Sequence, residues 1–404
     1  MNIELLQKTL VALTCVLFAA NVAQSLAYLP AADAREGGDH MPHWLYHSCM
    51  AAFFGSMLFA LLAPSLALMW VAVELTTLVS APLIAYRRSR ESLEAMWKYL
   101  LICSIGIGLA LFGTMLVMHA ETTGSATWYK AGFAFVLAGY GTKMGLAPFH
   151  TWLPDAHSEA PAPVSALLSG ALLNCSFFAI ARVRAVVPNE AAAFCDWATA
   201  ALGLISVAVA AAFMVRQTDY KRLLAYSSVE HMGIIAMLFA CSGIFTDCRG
   251  LLTLALAAHI VSHSLAKTAL FHTAGNLLLA FETRAIAAVQ GLGTTMRREA
   301  ALWTVLVVLI CGMPPSPLFL TELGLVFSSA PWIAAALLVL LFIVFAAMTR
   351  AALTMSMGRP AAKPLPLPSR LAVVPMVLLA ALFGIGAFTT AAVVRSIITR
   401  GAAL

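Results

Sequence analysis

Residues Gly132–Asn174 read GFAFVLAGYGTKMGLAPFHTWLPDAHSEAPAPVSALLSGALLN. Lys143 is expected in the middle of an apolar helix, which Pro148 breaks five residues later. An ammonium at the bilayer midplane costs about 2.5–3.5 kcal/mol on insertion scales, so its default reading is an ion or proton path. The Pro break points the same way, because irregular backbone at membrane depth is tolerated only where protein or a water-filled cavity covers it. The plain alternative is a lysine snorkelling to the interface. Its place between Tyr140 and Pro148 speaks against that.

Outward from this stretch the rest of the chain has the same character. Of 404 residues, 62% are hydrophobic and 10% charged, and the mean hydropathy is +0.91. That composition is a polytopic membrane protein, not a soluble domain. Apolar stretches long enough to span fall near 5–29, 43–62, 64–86, 95–119, 129–149, 162–186, 193–215, 226–245, 251–279, 300–327, 331–353 and 370–394. The expected fold is all-α: a single membrane domain over 1–404, a bundle of about twelve helices.

Cytoplasmic loops carry the excess of Lys and Arg. Counting from the N-terminus, one side holds seven: Lys8, Lys130, Arg182, Arg184, Arg249, Arg395 and Arg400. The other holds fifteen, including the clusters Arg87, Arg88, Arg90 and Lys98, then Arg216, Lys221 and Arg222, then Arg284, Arg297 and Arg298. The richer side is expected to be cytoplasmic and both termini extracytoplasmic. Lys143 and Lys267 alone are left inside the membrane. The net charge of +6 follows from this loop bias, with no basic stripe for nucleic acid. The eight cysteines lie in or at the ends of apolar stretches without C-x-x-C pairs or histidines at ligand spacing, so neither a metal nor a cofactor is expected. Residues 5–29 are expected to be a retained span and not a signal peptide, since Glu4 cancels Lys8 and the apolar run is long.

Five stretches bury polar groups that hydropathy alone forbids. The third holds Glu74, the fifth Lys143, the sixth Asn174 and the tenth Glu322, just after CGMPPSPLF. The ninth presents His259, His263 and Lys267 at i, i+4 and i+8, on one helical face. His150 and His157, beside the Pro break, are further candidates to relay protons or orient water. Each has an ordinary structural reading: a satisfied core histidine, an asparagine that glues helices, or carboxylates paired for stability. The shared face of His259, His263 and Lys267 favours a relay. At 4 Å and an effective dielectric of 20, a Lys–carboxylate pair interacts by about 4 kcal/mol, enough to load or unload a proton. Histidine is the natural relay between lysines. No nucleophile, base and oxyanion donor can be assembled, so hydrolysis has no support.

The breaks near Pro148 and near Pro314, Pro315 and Pro317 lie five stretches apart. Paired discontinuous helices point to an inverted repeat with its site at the midplane. Its expected halves are 43–186 and 193–353.

Four segments in order carry a family likeness: GTKMGLAPFHTWLPDAHSEAPAPVSALLSGALLN, DYKRLLAYSSVEHMG, AHIVSHSLAKTALFHTAGNL and GMPPSPLFLTELGL. They resemble the antiporter-like subunits of the complex I superfamily, most of all the component F type of hydrogenase-4 and formate hydrogenlyase membrane arms. The likeness covers roughly residues 40–360. It implies that Glu74 matches the glutamate paired with the broken-helix lysine, here Lys143. Lys267 matches the central relay lysine with His259 and His263 beside it, and Glu322 the terminal group facing the outlet or the next subunit. Asn174 stands where many relatives carry a bridging lysine, and an amide cannot hold a proton. The likeness further implies fellow membrane subunits, a peripheral redox arm and a bacterial inner membrane. Full relatives have about fourteen helices and often a lateral C-terminal helix, so the chain is expected to lack the first two spans and that extension. A stand-alone or Mrp-type cation/proton antiporter and a non-conducting spacer are the competing readings.

Overall fold

A computed structural model describes residues 2–36, 40–360 and 363–401, with side chains for 2–35, 40–360 and 363–387. The side chains of Arg395 and Arg400, which entered the charge count, lie outside the described ones. Among the described residues the chain is helical, with an isolated antiparallel bridge between Asp219 and Ala285. The first half runs through α1 (Ile3–Glu36), α2 (His43–Leu62), α3 (Leu66–Ile84), α4 (Arg90–Thr123), α5 (Ala126–Met144), α6 (Trp152–Glu159), α7 (Ala162–Leu167) and α8 (Leu173–Val186). A π-helical turn, Leu168–Leu172, joins α7 to α8. There follow α9 (Asn189–Met214), α10 (Tyr220–Ile244), α11 (Arg249–Phe281), the short α12 (Leu292–Thr295), α13 (Arg297–Ile310), α14 (Pro317–Ser328), α15 (Pro331–Ser356) and α16 (Val373–Gly401).

Helix starts are written locally. Ser65, Ser89, Asp219 and Ser316 each accept a hydrogen bond from a backbone N–H of the first turn of α3, α4, α10 and α14. Among the described residues ten helices are long and apolar enough to cross a membrane. The two remaining expected stretches, 129–149 and 300–327, are the discontinuous ones.

Three differences from the sequence reading have physical causes. Lys143 lies in the last turn of α5, not in mid-helix, because Gly145 takes φ +83° and ends the helix before Pro148. The π turn in the sixth stretch leaves no trace in the apolar pattern, since one extra residue per turn does not alter hydropathy. Helix α1 runs to Glu36, beyond residue 29, because the Ala-rich segment after Pro30 favours helix whatever its polarity.

Glycine sets the closest helix contacts. α4 and α5 meet over Gly106, Gly113, Gly132 and Gly139, where a Cβ added at Gly139 would lie 2.4 Å from the Ala110 backbone N. α9 and α10 meet over Gly203 and Gly233 in the same way. Small residues at such contacts let backbones pack where no hydrophobic force acts between helices. The α7–α8 segment and α10 are buried along their whole apolar windows, whereas α15 is only 22% buried. The centre of the bundle is therefore α8, α10 and α11, away from the exposed rim.

Candidate functional site

Lys143 is fully buried. Its Nζ donates to Thr77 Oγ1 at 2.8 Å and to Tyr99 OH at 2.6 Å, and lies 4.5 Å from the Tyr99 ring centroid. The last carbonyls of α5 favour a cation at this end of the helix. Tyr99 OH lies 2.7 Å from Ser80 Oγ. Glu74 and Lys143 are not in contact. The Glu74 carboxylate accepts from Ser104 Oγ at 2.9 Å, its Oε2 is buried without a partner, and Lys143 is held instead by Thr77, one turn along α3. The two charges remain close enough to interact electrostatically.

At the centre, Asn174 Nδ2 donates to Gly170 O, within the π turn, and to Ser264 Oγ of α11, both at 2.8 Å. Ser169 and Ser228 hydroxyls meet at 2.8 Å, and Lys267 Nζ donates to Leu224 O at 2.8 Å. Beyond Lys267 the polar line continues through histidines. His259 Nε2 lies 3.2 Å from His231 Nδ1, and His259 Nδ1 lies 2.8 Å from Thr321 Oγ1 on α14. The His263 ring is 5.1 Å from the His231 ring, with neither of its nitrogens hydrogen-bonded. Glu322 follows Thr321 and packs on Gly312, whose φ is +64°. So α3, α4 and α5 hold one polar cluster around Glu74 and Lys143, and α8, α10, α11 and α14 hold a second, from Asn174 through Lys267 and the histidines to Thr321.

The chain matches the NADH:quinone oxidoreductase/Mrp antiporter transmembrane family over residues 63–349. It belongs to that family. The chain is 38% identical over 341 residues to a hydrogenase-4 component F homolog of Methylacidiphilum infernorum, a match covering 78% of this chain and 70% of that one. Its fold is that of antiporter-like membrane subunits. A chain of respiratory complex I from Thermus thermophilus superposes with TM-score 0.76 at 23% identity, covering 94% of this chain and 83% of that one. A chain of the Mrp complex from Dietzia sp. DQ12-45-1b superposes with TM-score 0.83 at 18% identity, covering 96% and 81%.

The two remaining candidates of this antiporter-like chain pack against aromatic rings. His150 sits among aromatic rings, 5.9 Å from Tyr226 and 6.3 Å from Phe213. His157 is fully buried, stacks on Phe271 at 4.7 Å and has no hydrogen bond at either nitrogen. Lys221, placed in a loop by the charge count, is buried at the start of α10. Its Nζ donates to Ser158 O at 3.0 Å and Ala160 O at 2.7 Å, satisfying the C-terminal carbonyls of α6. Arg284 adds a bond to Ser158 O at 2.8 Å and an ion pair with Glu159 at 2.5 Å, so two cations pin the second segment of the first broken helix.

Sequence reasoning passed over His231 and Glu230, although AYSSVEHMG places two adjacent ionisable residues inside an apolar stretch. They lie only four and five residues past its expected start at 226, where they pass for interfacial groups. α10 in fact begins at Tyr220, a turn and a half earlier. Thr77, Tyr99, Ser104 and Thr321 gave no signal, because hydroxyls are common in membrane helices and only packing shows which ones meet a lysine or histidine.

Proposed function

We propose that this chain is a proton-translocating subunit of a membrane-bound oxidoreductase of the hydrogenase-4/formate hydrogenlyase type, seated in a bacterial plasma membrane. The redox chemistry belongs to other chains, in a peripheral arm. The observation that carries the reading is the set of protonatable side chains enclosed in the middle of the bundle, Lys143, Lys267 and the histidines between Lys267 and Thr321. Ionisable groups inside a membrane are costly and mark proton relays where they line up. The likeness to the hydrogenase-4 component F homolog supports the branch.

In this reading Lys143 holds a proton between Thr77 and Tyr99, and the nearby Glu74 charge sets how firmly it is held. Asn174 orients water across the gap to Lys267, since an amide positions a proton path without carrying the charge. Lys267 and the histidine cluster then carry the proton toward Glu322, at the far broken helix. The halves 43–186 and 193–353 form an inverted repeat that places one break in each. Proton uptake by liposomes carrying the purified complex tests the reading. Uptake driven by the redox reaction, lost when Lys267 is replaced by Met, is expected, and a spacer would leave uptake unchanged.

Both termini are extracytoplasmic in this reading, on the strength of the fifteen-to-seven Lys/Arg split. Reporter fusions at Arg90 and Arg298 should give cytoplasmic signals. Periplasmic signals at both would invert the topology.

A further inference from the structure

Glu230 is 2% exposed and directly precedes His231 on α10. The first half has a carboxylate in the matching place: Glu74 lies on α3, two spans before the broken α5–α6 segment, as α10 lies two spans before the broken α13–α14 segment. The surroundings then diverge. In the first half the broken helix carries the lysine, whereas in the second it carries Glu322 and the lysine lies on α11. Lys267 of α11 is seated on the helix of Glu230, its Nζ donating to Leu224 O of α10 at 2.8 Å; Glu230 interacts electrostatically with it, with Glu322 of α14 and with Cys311 at the end of α13, and lies beside its own neighbour His231.

The ring of His231 divides its two nitrogens. Nε2 lies 3.9 Å from Glu230 Oε2, and Nδ1 lies 3.2 Å from His259 Nε2. His259 repeats the pattern, with Nδ1 on Thr321. His231 Nε2 has no hydrogen bond and faces Glu230 at 3.9 Å, whereas both nitrogens of His263 are without a hydrogen bond. A neutral imidazole that accepts a proton on one nitrogen and releases it from the other moves charge across the ring. The described contacts supply two such rings in series and leave His263 beside them.

We propose that Glu230 takes the proton from Lys267 and hands it to His231, so that the second half runs Lys267, Glu230, His231, His259 and on toward Thr321. This order rests on the proton-path reading above. In the first step the Lys267 ammonium gives a proton to the Glu230 carboxylate, leaving a neutral amine and a neutral acid. Two buried charges vanish together, which relieves the desolvation that a lone buried charge suffers. Glu230 then protonates His231 at Nε2, and His231 releases the proton from Nδ1 to His259 Nε2. The proton leaves His259 from Nδ1, on the side of the Thr321 hydroxyl 2.8 Å away. Each ring ends in its other tautomer and must turn back before the next proton.

The test is proton uptake by the reconstituted complex, with infrared difference spectra recorded during turnover. Glu230→Gln and His231→Gln should each slow uptake roughly a hundredfold, the loss typical of removing a proton-transfer group. Glu230→Asp should keep most of the rate, since it retains a carboxylate that can take up and release the proton. A carboxylic C=O band should vanish in Glu230→Gln and persist in Glu322→Gln. Full uptake in His231→Gln overturns the proposal even where Glu230→Gln fails to assemble. If these variants pump normally while Lys143→Ala does not, this order alone is wrong. If Lys143→Ala pumps as well, the proton-path reading falls with it.

Discussion

Lys143→Ala should abolish proton transport while leaving the complex assembled. Removing one member of a buried ion pair usually costs about 3–5 kcal/mol, because the other charge is left uncompensated. Here that penalty is reduced, because Glu74 and Lys143 form no ion pair. Glu74 keeps its bond from Ser104, and Tyr99 keeps Ser80, so the ammonium leaves only two hydroxyls short of a partner. Losing a positioned proton-transfer group lowers a rate by roughly 10²–10⁴. Proton uptake by reconstituted Lys143→Ala should therefore fall to the leak of empty liposomes, with a full complement of subunits on a gel. Normal uptake would make Lys143 a structural cation.

Gly139→Ala should do the reverse and remove the protein before any question of transport arises. Its Cβ would stand 2.4 Å from the Ala110 N and 2.5 Å from the Gly106 O, both backbone atoms that no rotamer change can move aside. α4 and α5 must separate, opening the seam that holds Tyr99 against Lys143. Overpacking costs about 1–3 kcal/mol and more where backbone must shift. Gly108→Ala, on the facing helix α4, meets nothing within 4 Å and is the control. A clearly lower melting temperature in detergent for Gly139→Ala, with Gly108→Ala unchanged, is expected. Equal stability of the two would show that the helices do not pack this closely.

Much of this architecture could be read from the chain because the bilayer enforces a simple rule: spans must be long, apolar and internally hydrogen-bonded. The breaks were legible because Pro148 and the Pro314, Pro315 and Pro317 cluster interrupt apolar runs, and Lys143 and Lys267 because a cation stands out against hydrocarbon residues. What stayed hidden depends on three-dimensional packing. Nothing in the spacing of Glu74 and Lys143 says that Thr77 and Tyr99 come between them, and nothing in the apolar pattern announces the π turn that sets Asn174 beside Ser264. The helical face shared by His259, His263 and Lys267 was drawn as a continuous stripe. In the fold the hydrogen-bonded neighbour of His259 is His231, brought in from α10.

The central claim is that protons pass through the middle of this chain, from Lys143 to the far half by way of Lys267. The most direct test is redox-driven proton uptake, followed with a pH-sensitive dye inside liposomes, for the wild-type complex and for Lys267→Met. Met keeps the length and apolar stem of the side chain but cannot carry a proton, so packing survives and the path does not. The expected result is uptake in the wild type and only passive leak in Lys267→Met, with the redox activity of the partner chains still measurable. Wild-type uptake in Lys267→Met would contradict the account.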